Sequence, residues 1–453
     1  ASRGAATGSA RSGGQLKPRV QAMASSYAAS MVGAGPMRAA PTGRQQRPKA
    51  GLLLAAAAMV VALLAGCTSV VTGVAVRAPG PESPGVDVAL LDPGNYPRRP
   101  GKPLGKVADE NAGRLVEAYR MANNVVGPWE VDSSLVVPVM RNTRVLTSVD
   151  SLTNLMGPDL KAVAASHTFV VGFTTMRESP PPPGQPPGSG ENAKTICNAV
   201  LRFASPEDAA ATATEMAAKD ASMPHPDTMS SPLPIPNHPD TLANKLNNPG
   251  VFEADLFTAR GPYVLFQDLG TKESADALIA MITRLLDLQV PLIDRFQATP
   301  SDQFANLPAD PTGLLARTVS TNVHEGTVLE PHAALHFRPN PVASQQMFTS
   351  SGVQRVAVYR TSVYEAIDPT GADRAVESLV RMDVPGFGYK PVAGIRGLPG
   401  ARCFDRGQKQ DQDASLRYLC VAAAERYAIR ATAAQERDVH QVVASQYLML
   451  TAK

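Results

Sequence analysis

The chain has few cysteines and lacks the sequence motifs of the common enzyme and cofactor classes. Only four of its 453 residues are cysteine, and no two form a C-x-x-C pair, which argues against a zinc ribbon and a thioredoxin-type redox site. Beyond residue 66 there is no G-x-S-x-G, no Walker loop and no H-E-x-x-H. These absences lower the odds of an enzyme, although catalytic groups can be dispersed along a chain. The sequence therefore predicts no cofactor and no catalytic residue.

Acidic residues are absent from the first 66 positions, and this absence distorts the overall charge. The whole chain has 43 Lys and Arg against 40 Asp and Glu, a formal net charge of +3. Eight of the basic residues and none of the acidic ones precede position 67, so the remainder carries a net charge of about −5. A net negative charge does not favour contact with the phosphates of nucleic acid, so we expect no nucleic-acid partner.

One long apolar run, residues 51–65, follows a basic segment and ends in Leu64-Ala65-Gly66-Cys67. Its length is short for a membrane span, which needs about 20 residues, and no stop-transfer charge follows, so a signal peptide is a better interpretation than a transmembrane helix. The ending resembles the lipobox of bacterial lipoproteins, in which the Cys receives a diacylglyceryl group and becomes the first residue after cleavage. We therefore expect lipidation of Cys67, attachment to the membrane through its acyl chains and an extracytoplasmic location.

Cleavage before Cys67 divides the chain into a removed part and a mature part. Residues 1–66 are predicted to be a leader and signal peptide, in which the stretch before Met37 carries no fold. Residues 67–106 are rich in Pro and Gly and are predicted to be a tether that follows the lipidated cysteine. The remainder is predicted to form a first α+β domain, a Pro-rich connector and a second α+β domain, over residues 107–290, 291–327 and 328–453.

The two predicted domains repeat one pattern at a spacing of about 164 residues. Ser205-Pro206 and Asp368-Pro369 both place a capping residue before Pro at a first helical position. Tyr263 and Tyr427 lie in matching strands, and segments 167–173 and 331–337 are both predicted to be strands. Each copy then follows the order ββαββα. The alternative is a pair of unrelated α+β units that share generic patterns.

This order predicts an α+β fold of two tandem, duplicated ferredoxin-like units, each with an antiparallel sheet and both helices on one face. Cys403 and Cys420 flank a polar stretch between two adjacent predicted strands, so we expect a disulfide between them. Cys197 lies in an apolar strand, and we expect a buried free thiol there rather than a nucleophile.

Two sets of potential metal ligands carry alternative interpretations. The denser set comprises His324, Glu325, Glu330, His332 and His336. Because this segment is predicted to be a strand, its last two histidines would share one face, and we expect surface histidines, with a metal site as the alternative. The other set comprises Asp405, Asp411 and Asp413. These aspartates lack the regular spacing and the glycine of a calcium loop, which favours a solvated hairpin loop.

Four segments of the mature chain, together with the lipobox and the tether, resemble an uncharacterised family of mycobacterial and related actinobacterial lipoproteins: VGPWEVD at 126–132, VLRFASP at 200–206, GPYV at 261–264 and DPTGLLART at 310–318. The resemblance covers nearly the whole mature chain. It implies a location in the cell envelope and carries over one functional residue, Cys67.

The sequence thus favours a non-enzymatic, lipid-anchored envelope protein that binds a small ligand, a lipid or another envelope protein. The expected contact surface is a cleft between the two copies, rimmed by loops 223–239 and 384–400. An envelope hydrolase with a dispersed site, or a metal-dependent one near His332 and His336, is the alternative. A structural spacer is a third interpretation.

Overall fold

The structure is a computed structural model that describes residues 85–139, 142–223, 230–248, 250–320, 326–407 and 413–452. The predicted signal peptide, the lipidation site Cys67 and the first part of the predicted tether lie outside these residues. In the part of the chain that the structure describes, no helix combines the length and the apolar character that a membrane span requires.

The described residues form two α+β units. The N-terminal unit comprises α1 (Glu110–Ala122), α2 (Pro128–Val131), β1 (Val137–Pro138), β2 (Arg144–Leu146), α3 (Thr153–Ser166), β3 (Phe169–Glu178), β4 (Lys194–Phe203), α4 (Pro206–Ser222), β5 (Ser230–Pro232), β6 (Thr241–Asn248), β7 (Val251–Arg260), β8 (Tyr263–Thr271) and α5 (Ala275–Ile293). The C-terminal unit comprises β9 (Thr327–Leu329), α6 (Pro331–Leu335), α7 (Pro341–Ser351), β10 (Arg355–Val358), β11 (Ser362–Glu365), α8 (Pro369–Phe387), β12 (Lys390–Val392), β13 (Arg402–Asp405), β14 (Tyr418–Ala424), β15 (Tyr427–Ala433) and α9 (Glu436–Thr451). Two 3-10 helices, Ser301–Asn306 and Leu315–Arg317, lie between the units.

Each unit is built on one antiparallel sheet, and the two sheets share a strand order. The N-terminal sheet runs β1-β3-β4-β8-β7-β6-β5, with β2 also paired to β3, and the C-terminal sheet runs β12-β13-β14-β15-β11-β10-β9. Taken in opposite directions, the order β3-β4-β8-β7-β6-β5 matches β10-β11-β15-β14-β13-β12. The predicted α+β class with antiparallel sheets is therefore confirmed.

The predicted ferredoxin-like count of four strands per unit is wrong. The segment that follows the first matching helix forms two further strands in each unit, β5 and β6 after α4 and β12 and β13 after α8. The strands β5 and β12 lie at sheet edges and contain Pro232 and Pro391. Proline is tolerated at an edge because its missing N–H breaks no ladder hydrogen bond there, so proline content did not exclude a strand.

Helices cover both faces of each sheet, which corrects the prediction of helices on one face. In β8, Val264 and Phe266 pack with α3 and α4, whereas Leu269 packs with α5 on the opposite face. In β14, Leu419 packs with α8, whereas Cys420 packs with α9. The physical reason is that these central strands are apolar on both sides, and a sheet without a polar face needs a covering layer on each side.

Segment 331–337 begins with the helix α6 and is not the predicted strand. Pro331 follows Glu330 at the first helical position, where a missing N–H leaves no helical hydrogen bond unmade. The residues between α7 and α8 form the antiparallel hairpin of β10 and β11. His332 and His336 are therefore one helical turn apart, and neither lies on a strand.

The helix starts predicted from local sequence are confirmed. The Ser205 side chain accepts a hydrogen bond from the backbone N–H of Asp208 at 3.1 Å, directly before α4. The Asp368 side chain accepts one from Gly371 at 2.6 Å, directly before α8. Proline occupies the first turn of both helices, so the same capping chemistry opens corresponding helices of the two units.

The three cysteines of the described residues lie where the sequence predicts them. Cys403 and Cys420 are direct partners in β13 and β14 and form a disulfide. Cys197 is a buried free thiol in β4, and burial raises its pKa to about 12. A thiol with that pKa holds its proton at neutral pH, which suits a buried packing residue and not a nucleophile.

Residues 85–106, within the segment predicted as a tether, pack along the C-terminal unit. Leu91 is buried, and the backbone N–H of Asp87 donates to the carbonyl oxygen of Gly397 at 2.9 Å. The Tyr96 hydroxyl lies 2.7 Å from a carboxylate oxygen of Asp438 at the start of α9. Residues 85–106 therefore pack against the C-terminal unit, although they precede the N-terminal unit in the sequence.

Candidate functional site

The two units share an apolar core, and His336 lies inside it. This core extends from α1 and β3 to α6, α7 and α8. The His336 ring is fully buried, with its centroid 5.1 Å from that of Trp129 and 5.0 Å from that of Phe173, both in the N-terminal unit. Burial, together with the neighbouring His332 and Arg177, holds the pKa of His336 well below its usual value, so the ring is neutral at neutral pH.

His332, at the N-terminal end of α6, makes polar contacts across the boundary between the two units. Its Nδ1 lies 3.0 Å from the carbonyl oxygen of Asn123, and its Nε2 lies 2.9 Å from a carboxylate oxygen of Glu130. Burial opposes a charged ring, but the hydrogen bond and charge of Glu130 outweigh it and raise the pKa of His332. Glu330 accepts a hydrogen bond from the Asn123 side chain at 2.7 Å.

The prediction of ordinary surface histidines is therefore wrong for His332 and His336. They join the two units, because α6 packs against α1 and not on an exposed sheet face. His324 and Glu325 lie outside the described residues. Within the described ranges, neither His332 nor His336 belongs to a group of three converging metal-ligating side chains.

Arg177, near the end of β3, holds the C-terminal end of α6. The residue is 1% exposed, and its guanidinium lies 5.5 Å from the centre of the Trp129 ring. It donates to four carbonyl oxygens, those of Val136 and His336 at 2.7 Å, Arg338 at 2.8 Å and Pro339 at 3.3 Å. Three of these carbonyls belong to the C-terminal unit. Burial lowers the pKa of Arg177 to about 10, so it stays charged at neutral pH.

A cavity of about 220 Å³ lies in the C-terminal unit beside this boundary, and we call it the boundary cavity. Its floor is the sheet face toward α8, and its roof is the segment from α6 to the start of α7. The lining residues are Leu329, Val356, Val358, Ser362, Tyr364 and Arg430 in the floor and Ala334, Phe337, Arg338 and Pro339 in the roof. The cavity is therefore mainly apolar, with two arginines and two hydroxyls.

The N-terminal unit holds the roof of the boundary cavity in place. Arg177 binds the carbonyls of Arg338 and Pro339, as described above. The ring centroid of Phe337 lies 6.0 Å from that of Tyr119 and 5.9 Å from that of Phe173. Phe337 and Val358 nevertheless keep 40% and 37% of their surface exposed, which leaves an apolar rim at the cavity mouth.

Two guanidinium groups give the boundary cavity a positive charge. Arg338 donates through Nη1 to the Tyr364 hydroxyl at 2.6 Å and through Nε to Ser344 at 3.2 Å. Arg430 donates through Nε to a carboxylate oxygen of Asp383 at 2.6 Å. Burial alone would lower the pKa of Arg430, but the Asp383 carboxylate outweighs it and raises that pKa. Among the described residues, Nη2 of Arg338 and both Nη atoms of Arg430 make no hydrogen bond.

The loops predicted to rim a cleft between the copies do not meet in the described residues. Loop 223–239, of which residues 224–229 lie outside the described ranges, contains β5, and loop 384–400 contains β12. These strands are the outer edges of their sheets, at the ends away from β3 and β9, which adjoin the unit boundary. The expected cleft is therefore wrong, because the boundary forms at the opposite sheet ends.

The aspartates between the two cysteines take part in local contacts. Burial alone would raise the pKa of Asp405, but the hydrogen bond from the Arg417 guanidinium at 3.2 Å, together with that from the backbone N–H of Gly407, holds this pKa low. Asp413 accepts a hydrogen bond from the backbone N–H of Ser415 at 2.9 Å. Asp411 lies outside the described residues. The two described aspartates stabilise the ends of a hairpin loop, as expected of a solvated turn.

Sequence reasoning missed the arginines that define the site. Arg177 and Arg430 each lie in a mostly apolar strand, FVVGFTTMRE and YAIRATA. A lone charged residue on an apolar face is seldom buried without a partner, so each was a usable signal of a polar cluster. Arg338 carries no such signal, since it lies in a short polar loop.

Comparison with family models identifies two matches along the chain. Residues 104–309 match the model described as domain of unknown function DUF7373, N-terminal, and residues 314–453 match DUF7373, C-terminal. The two matches span about three quarters of the chain, so it belongs to the DUF7373 family. No curated protein matches the chain in sequence.

Among solved structures, the chain is similar to the extracellular domain of PknH from Mycobacterium tuberculosis. The two share 12% sequence identity with a TM-score of 0.23, over 38% of this chain and 96% of that domain.

Proposed function

We propose that this protein is a lipid-anchored lipoprotein of the cell envelope that binds a small amphiphilic anion in the boundary cavity and catalyses no reaction. One observation carries the proposal, namely the combination of apolar walls with the guanidinium groups of Arg338 and Arg430 in one partly open cavity. Pockets of this kind use apolar surface for affinity and a few polar groups for orientation.

The charge of the cavity selects the ligand class. Asp383 neutralises one of the two arginines, so the cavity retains one positive charge. Guanidinium groups with open N–H donors bind carboxylate or phosphate oxygens through paired hydrogen bonds. The ligand is therefore an amphiphile that ends in a carboxylate or a phosphate.

The volume of the cavity limits how much of the ligand it encloses. The cavity has a volume of about 220 Å³. Pockets for drug-sized ligands have volumes of about 300 to 1,000 Å³, so this smaller cavity fits a short chain or the charged end of a longer one. The exposed side chains of Phe337 and Val358 at the mouth give a longer apolar chain a surface to follow.

Anchoring through Cys67 keeps this cavity near a bilayer. The lipobox sequence Leu64-Ala65-Gly66-Cys67 supports lipidation, and a disulfide supports an oxidising compartment. The 18 positions from Cys67 to residue 85 reach about 60 Å at most when fully extended. The cavity can therefore take up a ligand from the membrane surface or deliver one to it.

The shared strand order supports an origin of the two units by internal duplication. A second likeness lies in the last helix of each unit. Gln289 of α5 accepts from the N–H of Val126 at 2.9 Å and donates to the carbonyl oxygen of Asn124 at 2.9 Å. Gln446 of α9 accepts from Val319 at 2.8 Å and donates to Arg317 at 2.7 Å. Each helix thus binds, in the same way, a segment that precedes the first strand of its own unit.

Titration of the purified full chain with four eight-carbon probes tests the proposal. The probes are octanoate, octyl phosphate, octanol and octylamine, and isothermal calorimetry measures their affinities. We expect the two anions to bind at least about tenfold more tightly than octanol, since a hydrogen bond to a charged group contributes about 1.5 to 3 kcal/mol. Octylamine should bind most weakly, because its charge matches that of the cavity.

Two variants link this binding to the boundary cavity. Arg338→Met should weaken octanoate binding at least about tenfold and leave octanol binding unchanged. Val358→Trp should block the cavity mouth and weaken binding of all the probes. Val88 is also exposed but does not line the cavity, so the Val88→Trp variant should bind the probes as the unmodified protein does. Equal affinity for octanol and octanoate, or binding insensitive to Val358→Trp, would overturn the proposal.

A further inference from the structure

A second cluster of reactive side chains lies on the opposite side of the C-terminal sheet from the boundary cavity. Cys403 and Cys420 face α9, where both are nearly inaccessible to solvent. His440 projects from α9 beside them. One ligand atom from each of the three side chains lies within 4.8 Å of the other two.

The imidazole of His440 has a nitrogen that is available to a metal ion. Its Nε2 is buried and has no hydrogen-bond partner among the described residues. A neutral imidazole nitrogen is the commonest metal ligand in proteins, so a buried, unpartnered Nε2 beside two cysteines suits a metal site.

We propose that Cys403, Cys420 and His440 form a redox-controlled site for a zinc ion, which is closed while the disulfide is intact and opens when it is reduced. A dithiol reductant gives two electrons and two protons to the disulfide, which becomes two thiols while the reductant becomes a disulfide. Zinc then binds as the two thiols release two protons, and the neutral imidazole supplies the third ligand.

The chemistry of the three ligands fits zinc. Two thiolates and one imidazole leave a fourth position for water, which is the open arrangement of a Cys₂His site. Two sulfurs on a tetrahedral zinc stand about 3.8 Å apart when each Zn–S bond is about 2.3 Å. The Cα atoms of the two cysteines are 4.2 Å apart, so rotation of the side chains alone can supply that spacing.

Cobalt and zinc binding to the full chain tests this site. The Cys67→Ser and Cys197→Ala substitutions remove the other two thiols and serve as background. After reduction and removal of the reductant, we expect one Co²⁺ per chain, with thiolate charge-transfer bands and the visible bands of tetrahedral cobalt, and displacement of Co²⁺ by Zn²⁺. The oxidised chain should bind neither metal.

Substitution of His440 tests whether the histidine is a third metal ligand or whether the two thiols bind metal without it. In the same background, His440→Asn should weaken zinc affinity of the reduced chain at least tenfold and leave disulfide formation unchanged. His238→Asn, which alters a histidine on the other unit, should have no effect on metal affinity. Circular dichroism records whether the reduced chain is folded.

Three results would overturn the proposal. The first is a reduced, folded chain that binds no cobalt. The second is cobalt or zinc affinity that His440→Asn leaves unchanged. The third is a reduced chain that unfolds and does not regain its structure when zinc is added, whereas refolding upon zinc addition would support the site.

Discussion

Arg177 in β3 of the N-terminal unit donates to the carbonyl oxygen of His336 at the end of α6 in the C-terminal unit, over 2.7 Å. The same guanidinium binds the next carbonyls of the roof of the boundary cavity. One buried cation therefore both joins the two units and positions the arginine-bearing loop of the boundary cavity. The two roles are linked because the last turn of α6 leaves carbonyls that need donors.

Replacement of Arg177 should destabilise the protein. Arg177→Met leaves one buried and three partly buried carbonyls without their donor, and each charge-assisted hydrogen bond contributes about 1.5 to 3 kcal/mol, part of which offsets the burial of the charge. We expect the free energy of unfolding in urea to fall by at least about 3 kcal/mol. Arg374→Met, which removes an exposed guanidinium with one backbone contact, should change it by less than about 0.5 kcal/mol. Similar losses for both variants would refute the role of Arg177.

The lowered pKa of His336 predicts that the protein loses stability in mild acid. Its pKa is lower in the folded chain than in the unfolded one, whose histidines titrate near pH 6.5, so below that pH the unfolded chain binds more protons. The free energy of unfolding should therefore fall as pH drops below about 6.5, by up to about 1.4 kcal/mol per pH unit from this residue. His336→Phe keeps a ring between Trp129 and Phe173 and should flatten this slope. An unchanged slope in denaturation curves from pH 7.5 to 5 would contradict the assignment.

The raised pKa of Glu178 predicts a contribution to stability with the opposite dependence on pH. Burial raises its pKa to about 7, and its carboxylate has no hydrogen-bond partner among the described residues. Between about pH 4.5 and 7 the folded chain holds this proton more tightly than the unfolded chain, so this residue makes stability fall as pH rises. Glu178→Gln should stabilise the protein at pH 8 by about 1 to 2 kcal/mol, after allowance for partial solvent contact, and have little effect at pH 4. Destabilisation at pH 8 would show that the carboxylate has a compensating partner.

Lipidation predicts where the protein is found. The chain expressed in an actinobacterial host should incorporate an alkyne-labelled fatty acid and remain with the membrane fraction, since two acyl chains hold a protein stably on a bilayer. Cys67→Ala should abolish labelling and shift the protein away from the membranes. Cys197→Ala provides the control, because that buried thiol lies in β4 and should leave labelling intact. Membrane retention of unlabelled Cys67→Ala would contradict the anchor.

Features encoded by neighbouring residues were predictable from the sequence. The starts of α4 and α8 follow from a capping side chain and a proline in consecutive positions, which act within one helical turn. The disulfide followed from two cysteines on adjacent strands joined by a short polar loop. In each case the interaction is local, so a short stretch of sequence contains all of its partners.

Features that depend on distant segments were not predictable. The alternation of apolar residues could not show that α4 and α5 would cover opposite faces of one sheet, because both sides of its central strands are apolar. The boundary cavity takes its floor from Tyr364 and Arg430 and its roof from Arg338, which only the tertiary fold brings together. The position of α6 was missed since five helical residues give no measurable period.

The central claim is that the boundary cavity holds a small amphiphilic anion, and native mass spectrometry of the full chain released gently from membranes tests it most directly. The unmodified protein and Val88→Trp should carry the same adduct, which should dissociate as an anion, whereas Val358→Trp should carry none. An unmodified protein without an adduct, or an adduct of equal occupancy in Val358→Trp, would contradict the account.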